Sequence, residues 1–473
     1  MMLRTTAATF VAAQPSRLTV GRNHVQTSPS LRKSFLIFLA PMMLSNILQA
    51  LFGTINSVYL GQMIGVDALA AVSVFFPAMF FFISFVMGLA SGAGVLIGQA
   101  WGAREPGKVK AIAGTTLSVT LLLAALIAVL GGLFARQLLA ALATPANIID
   151  AATDYARIMM IAMPLTFTFI LITALMRGVG DTVTPLLALA VSTTIGLLVT
   201  PMLIRGTFGL PRLGVASAAY ASAVSSVLTL LWLNMHLLRR KHPLAFDAAF
   251  ALMMRPDPRL LRLILRLGIP AALNMVVMSL AEMVLLGLVN GFGSAATAAY
   301  GAVNQVVGYA QFPALSIAIS VSIFSAQAIG RGEPDRIGSI VRTGIEMNAA
   351  LTGGLILTVL VLSRPLMSAF ITDPAVIELA QRALHTVLWT SILFGLALVF
   401  SAAMRASGTV WVPLLISMLS IILIEVPSAT ILSSVIGLDG VWLAYPIAFG
   451  AMFLAQMSFY RLVWRKRVIT RLV

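Results

Sequence analysis

Twelve stretches of this 473-residue chain each run for about 20 residues or more with scarcely a charge. They fall at approximately 35–59, 68–99, 111–134, 155–176, 184–204 and 214–237, then 263–290, 297–328, 339–362, 378–403, 412–433 and 440–460. Each is near the length a helix needs to cross ~30 Å of hydrocarbon. In lipid no water pairs the backbone, so only helices and closed barrels can span it. Barrel strands read as alternating segments of about 10 residues, whereas these runs are continuous and longer. Charged residues make up 10% of the chain and hydrophobic ones 60%, against about 25% charged in soluble domains. A water-facing surface made from this composition would aggregate, so the solvent is lipid. The fold class predicted is an all-α membrane protein with twelve transmembrane helices.

The chain also repeats itself. Gly98-Gln99-Ala100-Trp101-Gly102 is echoed by Ala326-Gln327-Ala328-Ile329-Gly330, Met176-Arg177-Gly178 by Met404-Arg405-Ala406, and Pro185-Leu186-Leu187 by Pro413-Leu414-Leu415, each time 228 residues on (327 − 99 = 228). Internal duplication at one register is a recurrent plan of secondary transporters, with the substrate site between the halves. Two six-helix lobes around a central cleft are therefore expected: an N-terminal lobe over 35–238, a polar connecting loop over 239–262, a C-terminal lobe over 263–463 and a basic tail over 464–473.

The net charge of +16 is not a nucleic-acid signature, because the basic residues follow helix ends and alternate loops. Only Arg136, Arg157, Arg205, Arg212, Arg364 and Arg382 lie on the odd-numbered connections, leaving 25 of 31 Lys and Arg on the side of the termini and even-numbered loops. The positive-inside rule then predicts both termini in the cytoplasm, with the chain in a bacterial inner (plasma) membrane. Residues 1–34 carry Arg4, Arg17 and Arg22 and no acid. They read as a disordered cytoplasmic tail, with a targeting segment or an early-assigned start as alternatives.

Several strings resemble MATE (multidrug and toxic compound extrusion) transporters. Leu39-Ala40-Pro41-Met42-Met43-Leu44-Ser45-Asn46 is similar to the family's first helix, and Gly92-Ala93-Gly94-Val95-Leu96-Ile97-Gly98-Gln99 to its second. Arg177-Gly178-Val179-Gly180-Asp181-Thr182 resembles the fourth-to-fifth connection, and Gly437-Leu438-Asp439-Gly440-Val441-Trp442 the start of the last helix. The resemblance covers 35–463. It implies two six-helix lobes and export of organic compounds coupled to inward Na⁺ or H⁺ flow. It also exposes two departures. Many bacterial members carry an aspartate late in the first helix where this chain has Asn56, and an acid in the fifth helix where it has Thr200 before Pro201. Asn56 keeps the hydrogen-bonding shape but carries no charge.

Acids within apolar spans are costly and default to functional candidates. Three qualify, all in the second half: Glu282, Glu346 and Glu425. Glu282 has no Lys or Arg within a helical turn, and it resembles the seventh-helix glutamate of sodium-coupled branches. Glu425 precedes Pro427, whose missing N–H leaves the Leu423 carbonyl without an intrahelical donor, so a carboxylate and a free carbonyl stand together. Glu346 follows Arg342 by four residues, and an i,i+4 ion pair accounts for it as well as ion binding does. Glu282, Glu425, Asn56, Gln49 and Glu346 form the candidate set for ion coupling or substrate binding. The repeated pairs Gln99 and Gln327, and Arg177 and Arg405, are candidates for cytoplasmic closure or scaffold, the arginines through helix C-terminal carbonyls or the opposite lobe.

No cysteine is present, the four histidines are scattered, and no phosphate-binding glycine loop occurs, which argues against a metal centre, a nucleotide-driven pump and an enzyme. The expected function is antiport of amphipathic or cationic organic compounds against Na⁺ or H⁺, with no cofactor, by a monomer whose partners are small organic substrates and the bilayer. The alternative is a lipid-linked precursor or oligosaccharide flippase of the same superfamily.

Overall fold

The computed structural model describes residues 29–142, 144–209 and 212–473. The predicted tail lies outside the described residues except for its last turn and a half. Twelve spans follow: α1 Pro29–Met63, α2 Val66–Gly102, α3 Pro106–Ala141, α4 as the bent pair Ile149–Ile161 and Met163–Gly178, α5 Val183–Arg205 and α6 Ala216–Arg239. The second half repeats them as α7 Pro258–Asn290, α8 Ser294–Gly330, α9 Pro334–Val361, α10 Pro374–Ala406, α11 Trp411–Ile436 and α12 Leu438–Leu462. The repeat holds at the level of helix ends, since α2 and α8 both begin and end 228 residues apart (294 − 66 and 330 − 102).

The spans run longer than the apolar stretches because helix continues past them into flanking small, polar or charged residues. At 37 residues, α2 and α8 are about 55 Å long at ~1.5 Å per residue. The boundaries at 34, 238 and 262 move accordingly: residues 29–34 are the first turns of α1, Arg239 ends α6, and Pro258 already begins α7. Local chemistry explains the ends. Asp257 accepts from the N–H groups of Arg259 and Leu260 with Pro258 at the first helical position, and Asp373 does the same for Ala375 before Pro374. The 52° bend in α4 falls at Pro164, which withdraws one donor from the ladder. By contrast Pro185 and Pro413 sit in the first turn of α5 and α11 and bend nothing.

Lobe meets lobe near the end of the bundle that holds the start of α1 and the α2–α3 turn. There α2 lies on α7 backbone to backbone. A Cβ added to Gly88 would come within 2.6 Å of the Gly268 carbonyl oxygen, and one added to Gly268 within 2.7 Å of the Gly88 oxygen. Small residues permit this approach, which is how helices associate in lipid without a hydrophobic drive. The repeat-related contact, α1 on α8, is built differently. Ser316 and Ser320 stand where α2 has Gly88 and Gly92 (316 − 88 = 228). Asn46 donates to Ser316 at 3.1 Å, and Phe35 and Phe38 pack on Phe324 at 4.8 and 5.2 Å between ring centres. Away from this end, Phe76, Phe80 and Phe81 of α2 and Leu280, Met283 and Val284 of α7 stand exposed.

Residues 464–473, expected as a basic tail, fold back on the bundle. Trp464 is buried and donates to Ser407 at 3.1 Å, and Leu472 reaches α2. Its apolar side chains Ile469, Leu472 and Val473 interrupt the basic run and pack on the core, an alternation that net charge alone hides.

Candidate functional site: an acid pair in the second lobe and a reciprocal seam between lobes

Of the three candidate acids only Glu425 is buried, while Glu282 is exposed and Glu346 half-buried. Glu425 is 5% exposed, and the charge of Glu282 on the neighbouring α7 reaches it. Glu425 closes a π-helical stretch, Ser420–Glu425, directly before Val426-Pro427. π-turns insert a residue into a helix and recur at functional sites. Around the pair lie hydroxyl and amide groups from α8 and α12. Tyr300 and Tyr445 approach at 3.3 Å between hydroxyls, Tyr300 also bonds Asn304, and its ring stacks on Trp442 at 5.7 Å. The sequence reading missed this aromatic group, because a tyrosine in an apolar span looks like core. The signal was available in the repeat: Tyr300 and Asn304 replace Val72 and Phe76, 228 residues earlier.

Glu346 belongs elsewhere. It accepts from Arg342 at 3.2 Å, as the i,i+4 reading expects, and from Arg32 at 2.8 Å at the start of α1. It therefore fastens the two lobes at their contact end. In the first lobe, Thr200 donates to Asn56 at 3.4 Å, so the two positions singled out above as departures form one neutral amide–hydroxyl pair. Gln49 is exposed and shares a helix face with Asn46 and Asn56.

The four repeated polar residues, expected together as closure or scaffold, divide their roles. The glutamines, not the arginines, cross between lobes. Gln99 Nε2 donates to the Ala406 carbonyl at 2.8 Å, and Gln327 Nε2 donates to the Gly178 carbonyl at 3.2 Å. Ala406 and Gly178 are the last residues of α10 and α4, and they too are 228 apart. Each glutamine thus satisfies an orphan carbonyl at the C-terminal end of a helix in the opposite lobe. The helices that carry them cross in contact: a Cβ on Gly102 would meet the Gln327 carbonyl oxygen at 2.2 Å, and one on Gly330 the Gln99 oxygen at 2.0 Å. Arg177 Nε instead bonds Thr173 of its own helix at 3.3 Å, and Arg405 Nε is buried with no hydrogen-bond partner among the described residues.

Outside the spans, bonds from Lys108 and then Arg471 hold the Glu105 carboxyl below the usual carboxylate range. In the loop after α6, burial pushes the His242 imidazole down, with Asp181 at 3.8 Å opposing it. No group of three or more His, Cys, Asp or Glu suited to a metal ion occurs among the described residues.

Twelve spans in two repeated lobes, sealed together at one end, define an integral membrane transporter of the duplicated-bundle class. The MatE family model matches residues 41–202 and 270–431, once in each lobe, and the chain belongs to the MatE family. It is 45% identical over 450 residues to "Probable multidrug resistance protein YoeA" of Bacillus subtilis, covering 95% of this chain and 97% of that one. It is 27% identical over 397 residues to "FAD transporter" of Shewanella oneidensis, covering 84% and 87%. Among solved structures it superposes on a variant of the Vibrio cholerae MATE transporter VcmN with a TM-score of 0.85, at 21% identity, covering 93% of this chain and 98% of that one.

Proposed function

We propose that this chain exports amphipathic or cationic organic compounds by antiport against Na⁺ or H⁺, with Glu282 and Glu425 holding the coupling ion and the substrate's positive charge in alternation. The observation that carries this is the placing of the acids: Glu425 is 5% exposed at the end of a π-turn before Pro427, and Glu282 lies on the neighbouring α7 of the same lobe. Such a pair favours a cation over two separate negative charges in low dielectric. The Tyr300, Tyr445 and Asn304 groups add oxygen atoms, and the π-turn before Pro427 adds backbone carbonyls. The neutral Asn56–Thr200 pair leaves the first lobe to bind substrate without titrating.

The lobes are 35–238 and 263–463 as read from the sequence, adjusted to the helix ends above. The sealed end faces the cytoplasm, both termini lie there, and the chain works as a monomer in a bacterial plasma membrane. The relatives' names support drug export. The flippase reading gains nothing from this site, which holds acids rather than the bases a pyrophosphate needs.

Purified chain in proteoliposomes, given first a Na⁺ gradient and then a pH gradient with a panel of dye cations, tests the proposal. One gradient should drive dye movement, and Glu282→Gln should abolish it at unchanged protein level. Full transport by Glu282→Gln would overturn the assignment. Movement of FAD but of no dye cation would overturn the substrate class.

A further inference from the structure

The seam between lobes is two-fold in its glutamines but not in what lies over them. Gln99 makes a second bond, without a counterpart at Gln327 among the described residues: its Oε1 accepts the backbone N–H of Leu472 at 2.8 Å. One residue earlier, Arg471 pairs with Glu105 in the α2–α3 turn at 2.6 Å. Leu472 rests its methyl groups on Gly408, where an added Cβ would stand 3.0 Å from its Cδ2. It also closes a cavity of about 220 Å³ lined by Leu263, Arg266 and Leu267 of α7 and by Ser407, Gly408 and Thr409. The segment is anchored upstream in the second lobe by Trp464, which bonds Ser407 and stacks on Tyr460. It therefore starts on the second lobe and ends on α2 of the first.

The loop that occupies the corresponding place after α6 behaves otherwise. Asp247 pairs with Lys110 at 2.5 Å, and the Met254 carbonyl accepts from Ser118, so these contacts stay on α3 of the lobe the loop leaves. The segment after α12 instead reaches across to α2, and it occupies the acceptor of the same glutamine whose donor caps Ala406. An amide filled on both sides is fixed in orientation, since reversing it would set oxygen against carbonyl and N–H against N–H.

From this we infer that residues 467–473 are a latch in cis on the sealed end: a strap that keeps Gln99 facing Ala406 and has to leave Gln99 before the lobes part. Opening then breaks the Arg471–Glu105 pair, the Leu472 N–H bond and the Gly408 contact together, and anything that holds the strap off α2 biases the transporter toward opening at this end.

The latch presupposes the two-lobe alternation proposed above, and the test separates the two. The chain has no cysteine, so thiols placed at Gly107 and Gly338, where an added side chain meets open space in the first turns of α3 and α9, carry spin labels without background. The full-length labelled protein in nanodiscs should show a dominant short distance and a minor long one. Leu472→Pro removes the N–H donor and should raise the long-distance population about 2- to 10-fold, the worth of one net hydrogen bond; a chain stopped after Lys466 should raise it further. Glu105→Arg alone should open the end, and Glu105→Arg with Arg471→Glu should close it again, a reversal that a merely misfolded turn does not give. If the unaltered chain samples both distances and the truncation leaves their ratio unchanged, the latch is overturned and alternation stands. If every variant keeps the single short distance, both are overturned. Failure of the charge swap to restore the short distance overturns the Arg471–Glu105 link as part of the latch.

Discussion

Adding one methyl group at the crossing of α2 and α8 should unseal the lobes. In Gly102→Ala the new Cβ would stand 2.2 Å from the Gln327 carbonyl oxygen, where ordinary contact begins at 3.4 Å. The obstacle is backbone, so the helices themselves have to separate by about 1 Å or more. A separation of that size stretches the Gln99–Ala406 bond from 2.8 Å and the Gln327–Gly178 bond from 3.2 Å past useful length. Overpacking costs about 1–3 kcal/mol and two weakened hydrogen bonds about 0.5–1.5 each. A conservative total of about 2 kcal/mol moves the sealed-to-open ratio roughly 30-fold. The assay is alkylation of a thiol introduced at Ala326, a fully buried residue against Gly98, whose labelling rate follows the open population. The rate should rise roughly 30-fold in Gly102→Ala and equally in Gly330→Ala, while Gly107→Ala, which meets nothing within 4 Å, leaves it unchanged. An unaltered rate in a folded Gly102→Ala protein, or a response in one glycine and not its repeat mate, would refute the reciprocal crossing.

The same thiol distinguishes the two glutamines: Gln99→Leu should open the seam further than Gln327→Leu, because Gln99 also holds Leu472, and equal effects would count against that second bond. Glu346→Gln should retain transport and lower thermal stability by no more than about 1 kcal/mol, since its partners Arg32 and Arg342 are well exposed; loss of ion-driven transport would return Glu346 to the coupling set. His242 gives a pH signature. Burial depresses its folded pKa below 6.5, so below that pH the unfolded chain takes up a proton the folded one resists. Stability is then constant above ~6.5 and falls as the pH drops toward the folded value. Hydrogen exchange of the 240–247 loop should speed up in that window and not in His242→Gln; an identical profile in the variant would remove His242 as the cause.

Much of this architecture was legible because lipid leaves few choices. Apolar length named the spans, and the 228-residue echo named the lobes before any contact was known. The echo also singled out Gln99, Gln327, Arg177 and Arg405 together, but spacing does not tell a side chain that crosses a seam from one that turns back on its own helix. Where two helices touch backbone to backbone, the shorter, neutral glutamine amide reaches the opposite carbonyl, while Arg177 turns back on its own helix. Glu282 and Glu425 were legible as costs: a carboxylate in an apolar span announces itself. Tyr300 and Tyr445 were not, because a tyrosine is cheap to bury and only its neighbours make it polar. Glu346 shows the limit from the other side, since its ion pair with Arg32 joins residues 314 apart in sequence. The strap stayed hidden because five basic residues after position 460 read as a basic tail, while Trp464, Ile469, Leu472 and Val473 do the docking.

The paired glutamine caps have a mechanical consequence. Two repeat-related bonds, Gln99 to the Ala406 carbonyl and Gln327 to the Gly178 carbonyl, are both stretched by a motion that separates the crossing helices. Loss of either cap then throws its load onto the other, so the crossing of α2 and α8 acts as one fastening rather than two.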